Sequence, residues 1–246
     1  MEKIINYKTL RNFAYSNDKI CVQPMKGIVL NFRGLSNKEM IWDDEEIHIQ
    51  FAKQGIIYLV PYYQPWCWMN DQAAAYVDEI LDVIVSEYNL PDDIPIVSSG
   101  GSMGGLASII YTIKAKRTPI ACVSNCPVCD LPYHYTERPD LPRTLYNAFW
   151  HFNGTMEEAL RANSPMHQIA VLPDIDYYIF HCEEDQAVNK QQHSDRFVEK
   201  MKQGHRISYY SVPDRGHCDL TPEMRALFYL LMETAISGKW ERKEKL

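Results

Sequence analysis

The chain has 246 residues, 46% of them apolar and 23% charged, with a formal net charge of −7. That composition excludes a collagen-like repeat, a coiled coil and long disorder. The acidic balance excludes nucleic acid as the main partner, which would need a basic face, and no apolar run approaches the about 18 residues of a membrane span.

One domain over residues 1–246 suits this length, because a core of such size buries most of its apolar surface without staples. The opening MEKIINYKTLRNF lacks the apolar centre of a signal peptide. Seven cysteines, an odd number, read as reduced thiols in a cytoplasm rather than as a disulfide framework.

In chain order, Gly27–Phe32 predicts a strand, Met40–Lys53 a helix, and Gly55–Val60 a second strand. Asp71–Tyr88 predicts a helix, with Ala73, Val77, Ile80, Leu81, Ile84 and Val85 forming one apolar stripe. Ile94–Ser98 and Ile120–Val123 predict strands on either side of a helix at Met103–Lys114. Residues 126–162 carry four prolines and many aromatics, with one helical segment at Met156–Arg161. This stretch is longer than an ordinary connection and reads as a cap-like insertion over the sheet edge. A strand at Ile175–His181, a helix at Lys190–Gln203, a strand at Arg206–Val212 and a helix at Pro222–Ser237 follow. Pro222 behind Thr221 suits a capped helix start. Lys239–Lys245 reads as a solvated charged end. Strand–helix alternation predicts an α/β fold with a mostly parallel sheet.

Gly100-Gly101-Ser102-Met103-Gly104 is a Gly-x-Ser-x-Gly motif between a predicted strand and a predicted helix. That is the setting of a nucleophile elbow, whose tight turn excludes bulk two residues before and after the serine. The helix start and the N–H of Met103 favour developing negative charge. A phosphate loop would need a lysine after its last glycine, and none is there. Serine at its free pKa needs a base and an orienting acid. Asp185 follows the strand ending at His181, and His217 follows the strand ending at Val212. Both sit at carboxyl ends of strands, in the order Ser, acid, His. Glu183, Glu184 and Asp214 are competing acids; among eight histidines only His217 meets both order and position. His181 reads as a core residue, and His193 and His205 as helix surface. A histidine base predicts one ionisation in the activity profile near about 6.5, modified by the site.

Gly-Gly-Ser-Met-Gly-Gly, Asn163-Ser164-Pro165, His181 to Val188 and Gly216-His217 together resemble the α/β-hydrolase superfamily, most closely esterase and prolyl-oligopeptidase-type catalytic domains. The resemblance covers about Gly27 to Glu233. It implies an eight-stranded, mostly parallel sheet, with one or two strands often lost, and serine hydrolysis without a cofactor or metal. Where the family often carries His-Gly, this chain has Asn31-Phe32-Arg33-Gly34-Leu35. By position, the second oxyanion donor is then the N–H of Leu35, beside that of Met103.

Cys126-Pro127-Val128-Cys129 is half of a zinc motif and lacks the second pair, so packed free thiols are the expectation. The aromatic loop at residues 61–70 and the aromatics of the insertion are expected to meet and to wall a substrate pocket through Tyr62, Trp66, Trp68 and Trp150. The resulting expectation is a carboxylic-ester hydrolase acting on small molecules, with Ser102, Asp185 and His217 as its triad. A small serine peptidase and a non-catalytic binding protein on the same fold are the alternatives. The size leaves no room for the gating propeller of the larger peptidases. The oligomeric state is not legible.

Overall fold

A computed structural model describes residues 4–238; the predicted charged end at Lys239–Lys245 lies outside the described residues. Among the described residues, seven strands form one sheet: β1 (Ala14–Ser16), β2 (Gly27–Phe32), β3 (Ile56–Pro61), β4 (Ile96–Gly101), β5 (Ala121–Asn125), β6 (Asp176–Cys182) and β7 (Arg206–Val212). Their order is β1-β3-β2-β4-β5-β6-β7. β1 runs antiparallel to β3, and every other pairing is parallel. This is the α/β-hydrolase fold.

Side chains alternate across each strand, and the helices cover both faces. From β2, Ile28, Leu30 and Phe32 pack with Val77, Ile80 and Leu81 of α2 (Asp71–Glu87) and with Leu106 of α3 (Met103–Lys114). Val29 faces the other way, toward Phe51 of α1 (Glu46–Lys53) and Leu231 and Met232 of α8 (Pro222–Ser237). Both faces are therefore dry, which is why the strands read as continuous apolar runs.

Four segments differ from the sequence reading, the first being β1, a three-residue antiparallel edge strand that it did not contain. The first predicted helix starts six residues late, at Glu46. Glu45 caps it through an N–H to His48 Nδ1 hydrogen bond of 3.1 Å. The preceding chain is held irregular, with the Tyr62 hydroxyl bonded to both the N–H and the carbonyl of Ile41. The predicted helix at Lys190–Gln203 is a π-helical turn, Gln191–Asp195, running into α7 (Arg196–Met201).

The insertion holds three helices rather than one: α4 (Leu131–Glu137), α5 (Leu141–Phe149) and α6 (Met156–Ala162). Pro132 and Pro142 stand in the first turns of α4 and α5, where the missing N–H has no helical partner to lose. They start two helices in a stretch where the sequence reading placed only the segment at Met156–Arg161. Asp130 caps α4 by accepting the Tyr133 N–H at 3.1 Å. Leu131, Leu141, Leu145 and Leu160 carry the insertion into the same core as α2 and α3.

Candidate active site

Ser102 follows β4 directly and precedes the first residue of α3. Its backbone is at φ 59°, ψ −124°, a conformation that costs an L-residue on the order of 1–3 kcal/mol. Neighbours hold it there. The Ser102 N–H donates to the Asn125 carbonyl at 2.9 Å, and its carbonyl accepts the Leu106 N–H at 3.1 Å. The flanking glycines are needed for a steric reason: a Cβ on Gly100 would lie 2.4 Å from the Gly104 carbonyl oxygen, and one on Gly104 would lie 2.2 Å from that of Phe32. The elbow thus depends on α3 touching the end of β2 backbone to backbone. Gly104→Ala is expected to cost at least about 3 kcal/mol, lowering the melting temperature by about 6–12 °C in a chain of this size. Gly204→Ala is the control, because nothing lies within 4 Å of its Cβ. Thermal unfolding of the two variants side by side checks this; equal melting points would remove the close approach.

Asp185 and His217 lie on the loops after β6 and β7, at the same end of the sheet as Ser102. His217 Nδ1 and Asp185 Oδ2 are 2.7 Å apart. The other carboxylate oxygen of Asp185 accepts the N–H groups of Ala187 and Val188 at 2.8 and 2.9 Å. His181, fully buried at the end of β6, approaches Asp185 Oδ2 with Nε2 at 3.3 Å. That same nitrogen bonds the Val188 carbonyl at 3.1 Å, and Nδ1 bonds the Ser194 hydroxyl at 2.6 Å. Both partners of Nε2 are acceptors, so Nε2 carries the proton and Nδ1 accepts from Ser194. Burial opposes ionisation of Asp185, but hydrogen bonds from His181, His217 and the Val188 N–H hold its carboxyl well below the usual carboxylate range. For His217, burial pulls the pKa down. The hydrogen bond to Asp185, the contact with Cys126 and the negative charge of Asp185 together outweigh burial and raise it to about 9.

Ser102 and His217 line one cleft of about 1090 Å³. Arg33, Gly34 and Leu35, directly after β2, line it as well. The Tyr63 hydroxyl clamps this loop by accepting the Arg33 N–H at 2.5 Å and donating to the Arg33 carbonyl at 3.0 Å. The Arg33 guanidinium stands 5.1 Å from the centre of the Tyr62 ring.

The aromatic loop and the insertion do touch. Trp68 donates its indole N–H to Thr144 at 3.1 Å, Gln64 bonds Asn147 at 2.9 Å, and Asn70 bonds the Ala148 carbonyl at 2.9 Å. Of the four aromatics assigned to the pocket, Trp68 lines the cleft beside Ser102. Tyr62 and Trp150 line a separate hollow of about 720 Å³, and Trp150 is 67% exposed. Trp66 lines neither; it bonds Ser36 at 2.9 Å and lies under Arg143. The insertion reaches the cleft through His134, Arg138 and Asp140 instead.

His134 belongs to a network that the sequence reading missed. It hydrogen-bonds Glu137 Oε2, which His193 Nε2 also meets at 2.9 Å. His193, expected on a helix surface, is fully buried, because the π turn swings it under the insertion. Burial opposes ionisation of Glu137, but the two histidines hold its carboxyl well below the usual range. Burial likewise keeps the His134 pKa below its ordinary value, so the ring is neutral and donates from Nδ1. The signal available was the His-x-x-Glu spacing of residues 134–137, which puts both side chains on one face of a helix.

The profile of the prolyl oligopeptidase family matches residues 71–232. None of the curated proteins compared matches the sequence. Among solved structures, an acylaminoacyl peptidase of Pyrococcus horikoshii superposes with a TM-score of 0.68 at 14% identity, over 92% of this chain and 39% of that one. An S-formylglutathione hydrolase of Agrobacterium tumefaciens gives 0.64 at 13% identity, over 92% of this chain and 86% of its own. Esterase B of Lactobacillus Rhamnosis gives 0.66 at 12% identity, over 89% and 78%. The chain thus spans about two fifths of the peptidase and most of each of the two smaller enzymes.

Proposed function

The chain belongs to the prolyl oligopeptidase family of α/β-hydrolase-fold serine hydrolases, and on that footing we propose that it cleaves carboxylic esters of small molecules through an acyl-enzyme on Ser102. The observation that carries this reading is the 2.7 Å pairing of His217 with Asp185 on the cleft that also holds the strained Ser102. With Nδ1–H directed at Asp185, Nε2 is the lone pair that takes the Ser102 proton as Oγ attacks the acyl carbon. The oxyanion falls to two N–H groups. Met103 is the first residue of α3, so its N–H has no helical acceptor. In the loop after β2, the N–H of Arg33 is taken by Tyr63, that of Ser36 by Pro65 and that of Asn37 by Gly34, which leaves Gly34 and Leu35 beside the cleft, and the second donor is assigned to Leu35. His217 then protonates the leaving alcohol, deprotonates the incoming water, and returns the proton to Ser102 as the acid departs. The cycle balances with ester and water alone.

Ester preference is supported by the two similar structures of comparable length, a hydrolase of S-formylglutathione and an esterase. Cleavage of an aminoacyl or peptide bond is the second reading, favoured by the family profile itself and by Arg33, Arg138 and Asp140 on the cleft, which suit charged chain ends. Seven free thiols, most of them buried, support a reducing compartment, the cytoplasm. Among the described residues no helix is long and apolar enough to cross a membrane.

A fluorophosphonate is expected to label the protein once per chain. A panel of p-nitrophenyl acyl esters and aminoacyl p-nitroanilides then decides the substrate class, with esters turned over at least about tenfold faster. Absence of an adduct would leave only the binding-protein reading. Faster anilide than ester turnover would assign the protein as a peptidase.

A further inference from the structure

Two thiols flank the base. The chain turns back at Cys126 and Cys218, both at positive φ, and brings their sulfurs to His217. The sulfurs of Cys126 and Cys218 and a ring nitrogen of His217 all lie within 4.8 Å of one another. His217 Nε2 is 3.7 Å from Cys218 Sγ. Cys126 Sγ accepts the N–H groups of Cys182 and Cys218, each at 3.4 Å, which hold that sulfur in place beside the base. Cys129, its partner in the Cys-x-x-Cys motif, is buried in a different core cluster and takes no part.

The same cluster can be compared with a tetrahedral metal site. Zinc–sulfur and zinc–nitrogen bonds of about 2.3 and 2.0–2.1 Å place ligand atoms about 3.6–3.8 Å apart. The Cys218–His217 separation is already there, and the remaining separations need adjustments of about an ångström or less. His217 also carries the device that orients metal-bound imidazoles: a carboxylate on the opposite nitrogen, here Asp185, fixes the proton on Nδ1 and bares Nε2.

In two rival clusters the histidine nitrogens that face the carboxylate carry protons. His193 Nδ1 accepts the N–H groups of Cys129 and Asp130, both at 3.1 Å, so its Nε2 must carry the proton that it gives to Glu137. His181, near Cys126 and Asp185, has its protonated Nε2 on two acceptors and its Nδ1 on Ser194.

We propose that Cys126, Cys218 and His217 form a site for a thiophilic d10 cation of the Zn²⁺ class, and that its occupation switches the hydrolase off. Binding makes two metal–sulfur bonds and one metal–nitrogen bond and releases to solvent the two thiol protons and, below the His217 pKa of about 9, the proton on its Nε2. Entry is from the cleft, which Cys218 lines. The ion takes the lone pair that would receive the Ser102 proton. The inhibitory half of the proposal rests on the function proposed above; the binding half does not.

The test is titration of the full chain with Cd²⁺, read by the thiolate-to-cadmium absorption band, and with Zn²⁺, read by ester turnover. One Cd²⁺ per chain and full recovery of the Zn²⁺-inhibited activity on adding a chelator are expected. Cys218→Ser should lose most of the band and raise the half-inhibitory Zn²⁺ concentration at least about tenfold, each variant being compared with its own metal-free rate. Cys126→Ser is the second variant, should either fail to fold. No band, or a band and an inhibition unchanged in Cys218→Ser, would overturn the site. A band without any turnover to inhibit would overturn the hydrolase reading and leave the site standing.

Discussion

Ser102→Ala is expected to lower ester turnover by on the order of 10⁴–10⁶ while the protein melts within a few degrees of wild type. The loss is large because the proposed cycle has no second nucleophile: the oxyanion donors and the cleft would survive, and their residual catalysis is all that remains. The fold should tolerate the change because alanine keeps the Cβ already accommodated at φ 59°. Ser102 Oγ is hydrogen-bonded to nothing among the described residues, so no bond is removed. The backbone bonds to Asn125 and Leu106 are untouched. Turnover of a p-nitrophenyl ester beside a thermal melt measures both halves. A variant retaining more than about a tenth of wild-type activity would remove Ser102 from the chemistry. A variant that fails to fold would instead say that the hydroxyl supports the elbow.

The elbow was legible because it is written in missing atoms. Gly100 and Gly104 are glycines since a Cβ at either meets backbone, and a tight turn between a strand and a helix is a local feature. Asp185 and His217 were legible from order and position, because parallel strands deliver their following loops to one end of the sheet. What surrounds them was not. The support that His181 gives Asp185 depends on β6 and the turn at Val188 meeting in space, and a buried histidine at a strand end looks like any core residue. His193 was misplaced because a π turn changes which face a residue takes, and no side-chain pattern announces one. The prolines hid α4 and α5, and with them the His134–Glu137 pair. Aromatic content marked the loop and the insertion as partners but carried no direction, so Trp150 falls on a second hollow while Trp68 lines the cleft. The two cysteines of the Cys-x-x-Cys motif part because the chain reverses at Cys126, at φ 45°.

Asp185→Asn is expected to cost about 10⁴ in turnover and to move the pH profile, and the two effects have different causes. The amide can donate to His217 Nδ1, which places the ring proton on Nε2 and removes the lone pair that should face Ser102. That tautomer error accounts for the rate. The profile shifts because the same substitution deletes the negative charge beside the imidazole. In the wild type His217 is raised to about 9, and a general base works only when neutral. Activity per unit of free enzyme should therefore climb with pH through a midpoint near that value, standing at pH 7 at about one hundredth of its plateau. This is well above the value of an ordinary histidine, about 6.5. Without the Asp185 charge and bond, burial is opposed only by the contact with Cys126, so the midpoint should fall from about 9 even as the plateau drops. Measuring kcat/KM from pH 5 to 10.5, with the melting temperature followed over the same range, separates the two effects. A wild-type midpoint near 6.5, or one that stays put in the Asn variant, would mean that Asp185 does not govern the protonation of His217.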